Sequence, residues 1–471
     1  MQDYTSYDAT GLAELVANGD VSTGELVSHA LESAYSAQDS YNCFSGIWDE
    51  FAKHQIQAGI PPGPFKGVPF AVKDLNMSVA GQPLTNGSRS FQNYTCNADN
   101  ELVQRFRRAG LVLIGQTTSP EFGLTTSTES KLYGATANPW NKNKTSGGSS
   151  GGASSAVAAG VLPMAHASDG GGSIRIPAAC TGLLGMKPSR GRVPMGPDRT
   201  EGWNGLSTNF AVSRSVRDSA ALMDAVHGLE PAARYTAPPP KKSYLSASQS
   251  EPASMKVAVW DFLPTGGELH PEAIQGLNST RKLLEGLGHR TESVADPFDR
   301  EALGKAQLTV ISGNIASVLA WRARMRGNEI KEDEVESVTW RMYELGKSMP
   351  AQMMADADTI FMDAAKTLDS VFRDYDVVLA PTITRPPDNL GVLSLSPSDF
   401  DAYAQAVSSF AAHCGIFNQT GAPAMSVPLH WTQDNLPLGM MFGAPYGQED
   451  LLFSLAGQLE RAQPWFNRTA F

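Results

Sequence analysis

The sequence predicts an α/β protein, on three observations. Helical and strand-like stretches alternate along the chain as far as Gly185. Short apolar runs bounded by Gly or Pro, such as Leu111–Gly115 and Asp376–Ala380 before Pro381, have the length and composition of buried strands. Amphipathic runs begin at recognisable helix caps, as at Ser22-Thr23-Gly24-Glu25, where a capping box precedes the periodic Leu26, Ala30, Leu31 and Ala34.

In chain order, residues 1–60 read as helices, and Gly67–Val72 turns β-like. Asn100–Arg108 reads as a helix and Leu111–Gly115 as a strand. Tyr235–Ser254, rich in Pro and Ser, reads as a surface linker. Met255–Trp260 follows as a strand, Pro271–Leu287 as a helix and Thr291–Val294 as a strand. Ala302–Phe372 is mostly helical, Asp376–Ala380 is a strand, and the tail holds one more strand at Ala424–Pro428 and a helix at Leu451–Glu460. No internal repeat is visible.

Composition narrows the function. The 471 residues carry 37 Lys and Arg against 48 Asp and Glu, a formal charge of -11, with no basic block, so nucleic acid is not an expected partner. The 4 cysteines are widely spaced and form no C-x-x-C pair, which argues against zinc or a disulfide framework and for a reducing cytoplasmic setting. Met1–Thr10 has neither a basic nor an apolar region, so no leader is expected, and no run is apolar for the ~18 residues that a membrane span needs.

The chemistry concentrates between Lys144 and Ala178. Ser149 lies in Gly147-Gly148-Ser149-Ser150-Gly151-Gly152, and Ser173 closes Asp169-Gly170-Gly171-Gly172-Ser173. Such glycines let backbone N–H groups converge on one point, and a helix over Ile174–Thr181, with Pro177 in its first turn, would place Ser173 at its N-terminus. Upstream, Lys73 ends the apolar run Gly67-Val68-Pro69-Phe70-Ala71-Val72. Serines on glycine turns with one lysine leaving a strand suggest a serine nucleophile activated by an amine, hence acyl transfer. The plainer alternatives are flexible or anion-binding glycine loops and a solvated lysine. To act as a base Lys73 must be neutral, whereas at an ordinary pKa of about 10.4 only about one in a few thousand is neutral at pH 7, so burial must lower it. His166, the nearest rival base, lies in a small-apolar run and reads as a core histidine. Asp169 reads as a turn-capping group. Gly147–Gly151 also matches the G-x-S-x-G elbow, but Asn138–Lys144 before it is a poor strand.

These motifs together resemble the amidase signature family. Gly67–Asp74 is similar to its lysine segment, Ser146–Gly152 and Gly170–Ala178 to its two serine segments, and Gly185–Val193 to the segment that follows. Asn418, Gly421, Pro423, Ala424, Ser426 and Pro428 are similar to its closing pattern. The resemblance covers most of the chain and implies one amidase domain over residues 1–471, a single large α/β/α sandwich around a central mixed sheet. Its parts would be N-terminal helices (1–60), a catalytic core (61–235), a linker-like segment (236–254), an α/β and helical pocket region (255–375) and a return to the core (376–471). It also implies that Ser173 is the nucleophile, that Ser149 is a bridging serine in a cis peptide, and that Lys73 is the terminal base. The N–H groups of Gly170, Gly171, Gly172 and Ser173 would form the oxyanion hole, with no metal or organic cofactor.

Where the family usually has Gly-Thr-Asp, this chain has Ala167-Ser168-Asp169. After Pro120-Glu121-Phe122-Gly123 comes Leu124-Thr125-Thr126, an apolar start to a segment that often shapes the acyl pocket. Met164-Ala165-His166 and Arg192–Pro197 are similar to the family branch that holds 6-aminohexanoate-cyclic-dimer hydrolase. The pocket walls are expected from 120–135, 302–372 and 381–420. Thr126, Trp321, Trp340 and Phe417 are candidates there, each with a core or surface role as the alternative.

The expected partner is a small amide, linear, cyclic or aryl, with an apolar acyl part. The oligomeric state is left open, with a homodimer as one option, and neither nucleic acid nor membrane is an expected partner. Two rival functions are a glutaminase subunit of a tRNA-dependent amidotransferase and a non-catalytic binding protein on the same fold.

Overall fold

The structure is a computed structural model that describes residues 4–471. Its centre is an eight-stranded mixed sheet. Across it run Arg290–Ser293, Lys256–Val259, Val377–Pro381, Pro437–Gly443, Ala424–Trp431, Leu184–Lys187, Thr208–Ser213 and Met164–Asp169. Lys256–Val259 pairs parallel with both of its neighbours, and every other pairing is antiparallel. Parallel neighbours need a crossover, and the long helix Pro271–Gly286 supplies it between Lys256–Val259 and Arg290–Ser293.

Both faces of this sheet are covered. Successive residues of a strand point to opposite faces. In Pro437–Gly443, Gly439 abuts Ala179 of the helix Arg175–Thr181, while the next residue, Met440, packs on Gly276 of the helix Pro271–Gly286. The two helices therefore lie on opposite sides, giving the expected sandwich. A Cβ on Gly439 would stand 2.9 Å from the Ala179 Cα, so strand and helix approach closely there.

Lys73 belongs to a second sheet of three strands, ordered Phe44–Ile47, Val112–Thr117, Pro69–Lys73. Pro69–Lys73 is wholly buried and runs parallel to Val112–Thr117, and burial on both faces accounts for its near-continuous apolar run.

Most expected elements are present, including the capping box in which Ser22 accepts from the Glu25 N–H. Three expectations need correction. Residues 1–60 are not all helical, because Phe44–Ile47 forms an edge strand after Asn42 ends the preceding helix in the left-handed region, at φ 53°. Residues 1–3 of that segment lie outside the described residues. The Pro- and Ser-rich stretch is not a free linker: Tyr244 in its short helix Tyr244–Ser248 is fully buried against His227 and Phe453, and Asp224 accepts its N–H. The tail also holds a further strand, Pro437–Gly443, whose two glycines and two methionines hid it from a β-branched pattern.

Candidate active site

Lys73 is completely buried at the end of its strand. Its Nζ lies 2.7 Å from Ser149 Oγ, 2.9 Å from Ser150 Oγ and 3.0 Å from Ser168 Oγ. The proton pattern can be read from the neighbours. The Ser150 hydroxyl donates to the Ser168 carbonyl at 3.2 Å, so towards Lys73 it accepts. A neutral amine has two N–H donors and one lone pair. Donating to Ser150 and Ser168 leaves that lone pair for the hydroxyl of Ser149. Burial pushes the Lys73 pKa down to about 7, against the pull of the Asp169 charge. The neutral form that the sequence reading required is thus accessible at neutral pH. In Ala167-Ser168-Asp169 the serine keeps the hydroxyl that Lys73 contacts.

Ser149 is 1% exposed and follows a cis Gly148–Ser149 peptide. Its Oγ lies 3.0 Å from where a Cβ on Gly123 would stand, and Gly123 lines the cleft described below. The stretch before it departs from expectation. Ala137–Asn138 and Asn141–Thr145 form a small antiparallel hairpin, because Asn138 ties it with its own side chain: Nδ2 donates to the Thr145 and Cys180 carbonyls, and Oδ1 accepts from Trp140. The hairpin lies outside both large sheets and leads to Ser149 beside Lys73, rather than to Ser173 in the cleft.

Ser173 sits between the strand Met164–Asp169 and the helix Arg175–Thr181, which begins as expected with Pro177 in its first turn. Asp169 organises the turn. Its carboxylate accepts from the N–H groups of Gly172 at 2.7 Å and Ile174 at 3.1 Å, and from Arg175 Nε at 3.0 Å and Nη2 at 2.9 Å. Burial would raise its pKa, but the Arg175 guanidinium more than reverses that and holds the carboxyl well below the usual range. Asn418, arriving from the tail, donates to the Asp169 carbonyl and carboxylate at 3.0 and 2.9 Å and accepts from Arg175 at 2.7 Å.

One expected oxyanion donor is thereby removed. The Gly172 N–H is spent on Asp169, whereas those of Gly170, Gly171 and Ser173 donate to no group among the described residues. Gly172 has φ 130°, and a Cβ there would stand 2.6 Å from Ile176 and 2.8 Å from Cys414. It serves the turn's shape.

His166 is the core histidine the sequence suggested. Burial, with the Lys73 charge adding, pushes its pKa down to about 3, and its Nδ1 accepts from the backbone N–H of Lys73 at 3.2 Å.

Ser173 and Gly171 open into a cleft whose walls include Leu124, Thr125 and Thr126, as expected. The helix Arg300–Arg326 lines it at helical spacing with Arg300, Leu303, Gln307 and Ile311. Residues 403–419 close the far side. Thr125 turns its hydroxyl away, to the Leu393 carbonyl at 2.7 Å. Of the candidate wall residues, only Thr126 reaches this cleft. Trp321 lines a neighbouring cavity that shares Trp203 as a wall, Phe417 is buried in a stack on Trp260, and Trp340 packs on Tyr343.

The profile of the family described as Amidase matches residues 25–453. The chain belongs to the amidase family. A 6-aminohexanoate-cyclic-dimer hydrolase of Pseudomonas sp. (strain NK87) is 35% identical, over 98% of this chain and 96% of its own. The solved structure of a 6-aminohexanoate cyclic dimer hydrolase complexed with substrate superposes with a TM-score of 0.94 at 33% identity, covering 99% of each chain. A bacterial aryl acylamidase of the amidase signature family superposes with a TM-score of 0.87 at 25% identity, covering 98% of this chain and 96% of the other. This chain is accordingly an amidase-family hydrolase, with the α/β architecture of these neighbours.

Within the amidase site, sequence reasoning missed Ser150 and Asn418 as contacts, and Trp203, Gln307 and Gln419 as cleft residues. Ser150 and Asn418 were inside recognised motifs, but which hydroxyl or amide reaches the lysine or the aspartate depends on side-chain direction. Trp203, Gln307 and Gln419 carried no local signal.

Proposed function

We propose that this chain hydrolyses a small, uncharged amide with an apolar acyl part, through an acyl-enzyme on Ser173. The observation that carries the reading is the buried Lys73 Nζ at 2.7 Å from Ser149 Oγ, with a pKa brought to about 7. Neutral Lys73 accepts the Ser149 proton as Ser149 accepts that of Ser173. The freed Ser173 oxygen attacks the amide carbonyl. Charge gathering on the carbonyl oxygen is met by the uncommitted N–H groups of Gly170, Gly171 and Ser173, a kind of donor whose loss typically costs about 10²–10³ in rate. The proton returns through the same relay to the departing nitrogen as the C–N bond breaks. Water then adds to the acyl carbon, gives its proton to the relay, and Ser173 is released with the carboxylic acid.

The cleft supports the substrate class. Leu124, Leu303, Ile311, Met342 and Val407 make it largely apolar, and Arg300, its only charged lining residue among those described, is held by Asp296 at 2.8 and 3.0 Å. A glutaminase would need a carboxylate for the ammonium of free glutamine, and among the described residues no Asp or Glu lines this cleft. Cys43, Cys96, Cys180 and Cys414 are all buried and unpaired, which supports a reducing compartment such as the cytoplasm. Among the described residues no helix is long and apolar enough to cross a membrane, and no cluster of His, Cys, Asp or Glu is placed to hold a metal ion.

The test is a panel of a linear aliphatic amide, a cyclic diamide, an aryl anilide, a carbamate and glutamine, with products read by mass spectrometry. Cleavage of an uncharged member that Ser173→Ala abolishes is the expected result. Cleavage that survives in Ser173→Ala overturns the serine assignment.

A further inference from the structure

Asn418 reaches the glycine turn from the tail, 249 positions along the chain from Asp169. It is 1% exposed, and its own carbonyl accepts from Arg190 Nη2 at 2.9 Å. Its side-chain amide has one possible orientation. The atom 2.7 Å from Arg175 Nη2 faces a pure donor and is therefore the oxygen. The nitrogen faces only acceptors: the Asp169 carbonyl at 3.0 Å, the Asp169 carboxylate at 2.9 Å and the Leu206 carbonyl at 3.0 Å. Its two N–H bonds thus serve three oxygens.

The bond to the Asp169 carbonyl bears on the chemistry. The peptide unit between Asp169 and Gly170 is planar and trans, so its C=O and its N–H point in opposite directions. Holding the carbonyl on Asn418 turns the Gly170 N–H away from Asn418. That N–H donates to no group among the described residues. Beside it stands Trp203, a wall of the cleft, whose ring lies 2.8 Å from where a Cβ on Gly170 would be.

The other two uncommitted donors are held differently. The helix sets the Ser173 N–H, because the Ile176 N–H donates to the Gly172 carbonyl at 2.7 Å and so fixes the plane that Gly172 shares with Ser173. The Gly171 N–H shares its plane with the Gly170 carbonyl, which accepts from no backbone N–H outside the regular elements among those described. Gly170 is the donor whose plane a side chain from the tail holds.

We infer that Asn418 is a positioning residue for the oxyanion hole: it holds the Asp169–Gly170 peptide so that the Gly170 N–H is directed at the substrate carbonyl oxygen as charge gathers there. Asn418 touches neither the substrate nor the reacting atoms, and it moves no proton. This rests on the proposed role of Ser173.

The test compares an amide that the native protein cleaves with the thioamide that differs from it only in C=S for C=O. Sulfur is the weaker acceptor, so a hydrogen-bonding oxyanion hole favours the amide. Both compounds meet the same sites in one preparation, so the ratio of their kcat/KM values does not depend on the fraction folded. In Asn418→Ala and Asn418→Ser that ratio should fall by about tenfold, part of the 10²–10³ that losing a donor outright costs. The loss should lie in kcat for the amide, with KM changed by less than about twofold. A merely structural role would lower stability and the turnover of both compounds alike. A ratio unchanged in the variants overturns the inference. So does a native ratio no greater than that of alkaline hydrolysis in solution, a measurement that needs no variant. Cleavage that survives in Ser173→Ala, or no cleavage by the native protein, overturns the role of Ser173 instead, and this inference with it.

Discussion

The backbone N–H of Lys73 donates to Nδ1 of His166 at 3.2 Å. This bond ties the three-stranded sheet to the last strand of the eight-stranded sheet through a side chain, where the two share no backbone pairing. With Nδ1 engaged as this acceptor, and its pKa pushed down by burial to about 3, His166 is placed as a support for the backbone of Lys73.

His166→Ala should lower the thermal midpoint by a few degrees, since the Lys73 N–H is left buried without an acceptor, at about 1–3 kcal/mol. Activity should fall far less than in Ser173→Ala. Thermal unfolding and kcat/KM on the same preparations check both. A loss equal to that of Ser173→Ala would make His166 the base.

Ser173→Ala should lower kcat by about 10⁴-fold or more with an unchanged circular dichroism spectrum. Lys73→Met should cost nearly as much, because relay members act as a unit. Steady-state kinetics would check it, and a loss of only a few-fold in Lys73→Met would point to another base.

The pH profile follows from the sign of the lysine shift. Burial lowers the Lys73 pKa from its ordinary value to about 7. The base is therefore protonated and inactive below that value and neutral above it. The ratio kcat/KM should rise with pH between about 6 and 8, with its midpoint near 7, and then level off. His166, whose pKa burial pushes down to about 3, stays neutral throughout this range and contributes no step. An acid-side midpoint near 4 would contradict the lysine assignment.

Asp169→Asn should be strongly destabilising. It leaves the Arg175 guanidinium fully buried without its counter-charge, and breaking such a pair costs about 3–5 kcal/mol. It also weakens the hold on the Gly172 and Ile174 N–H groups that shapes the glycine turn before Ser173, so kcat should fall in whatever fraction folds. Urea denaturation and kinetics would measure the two effects. Stability within about 1 kcal/mol of the native protein would show that Arg175 finds another partner.

Much of this protein was legible without coordinates because its signals are local. Glycines before Ser173 announce a backbone that a side chain would obstruct. The box at Ser22 and Glu25 announces a helix start. Apolar runs between turn residues, as at Leu111–Gly115, announce strands. Phe44–Ile47 was missed because pairing with the distant Val112–Thr117, rather than composition, holds it extended, and Pro437–Gly443 because its glycines and methionines carry no β-branched pattern.

What the sequence by itself determined is the α/β class and the family, and it named Lys73, Ser149 and Ser173 as the candidates, since each rests on residues adjacent in the chain. Tertiary structure decided the rest. Burial of Lys73 among three serine hydroxyls lowers its pKa, and burial is a sum over segments far apart in sequence. The same holds for Gly172, whose N–H is claimed by Asp169, and for Gln307 and Gln419, 112 positions apart, which hydrogen-bond only when their elements pack together. Local chemistry is written in neighbouring residues, whereas solvation, proton affinity and hydrogen-bond vacancy depend on what the fold brings into contact.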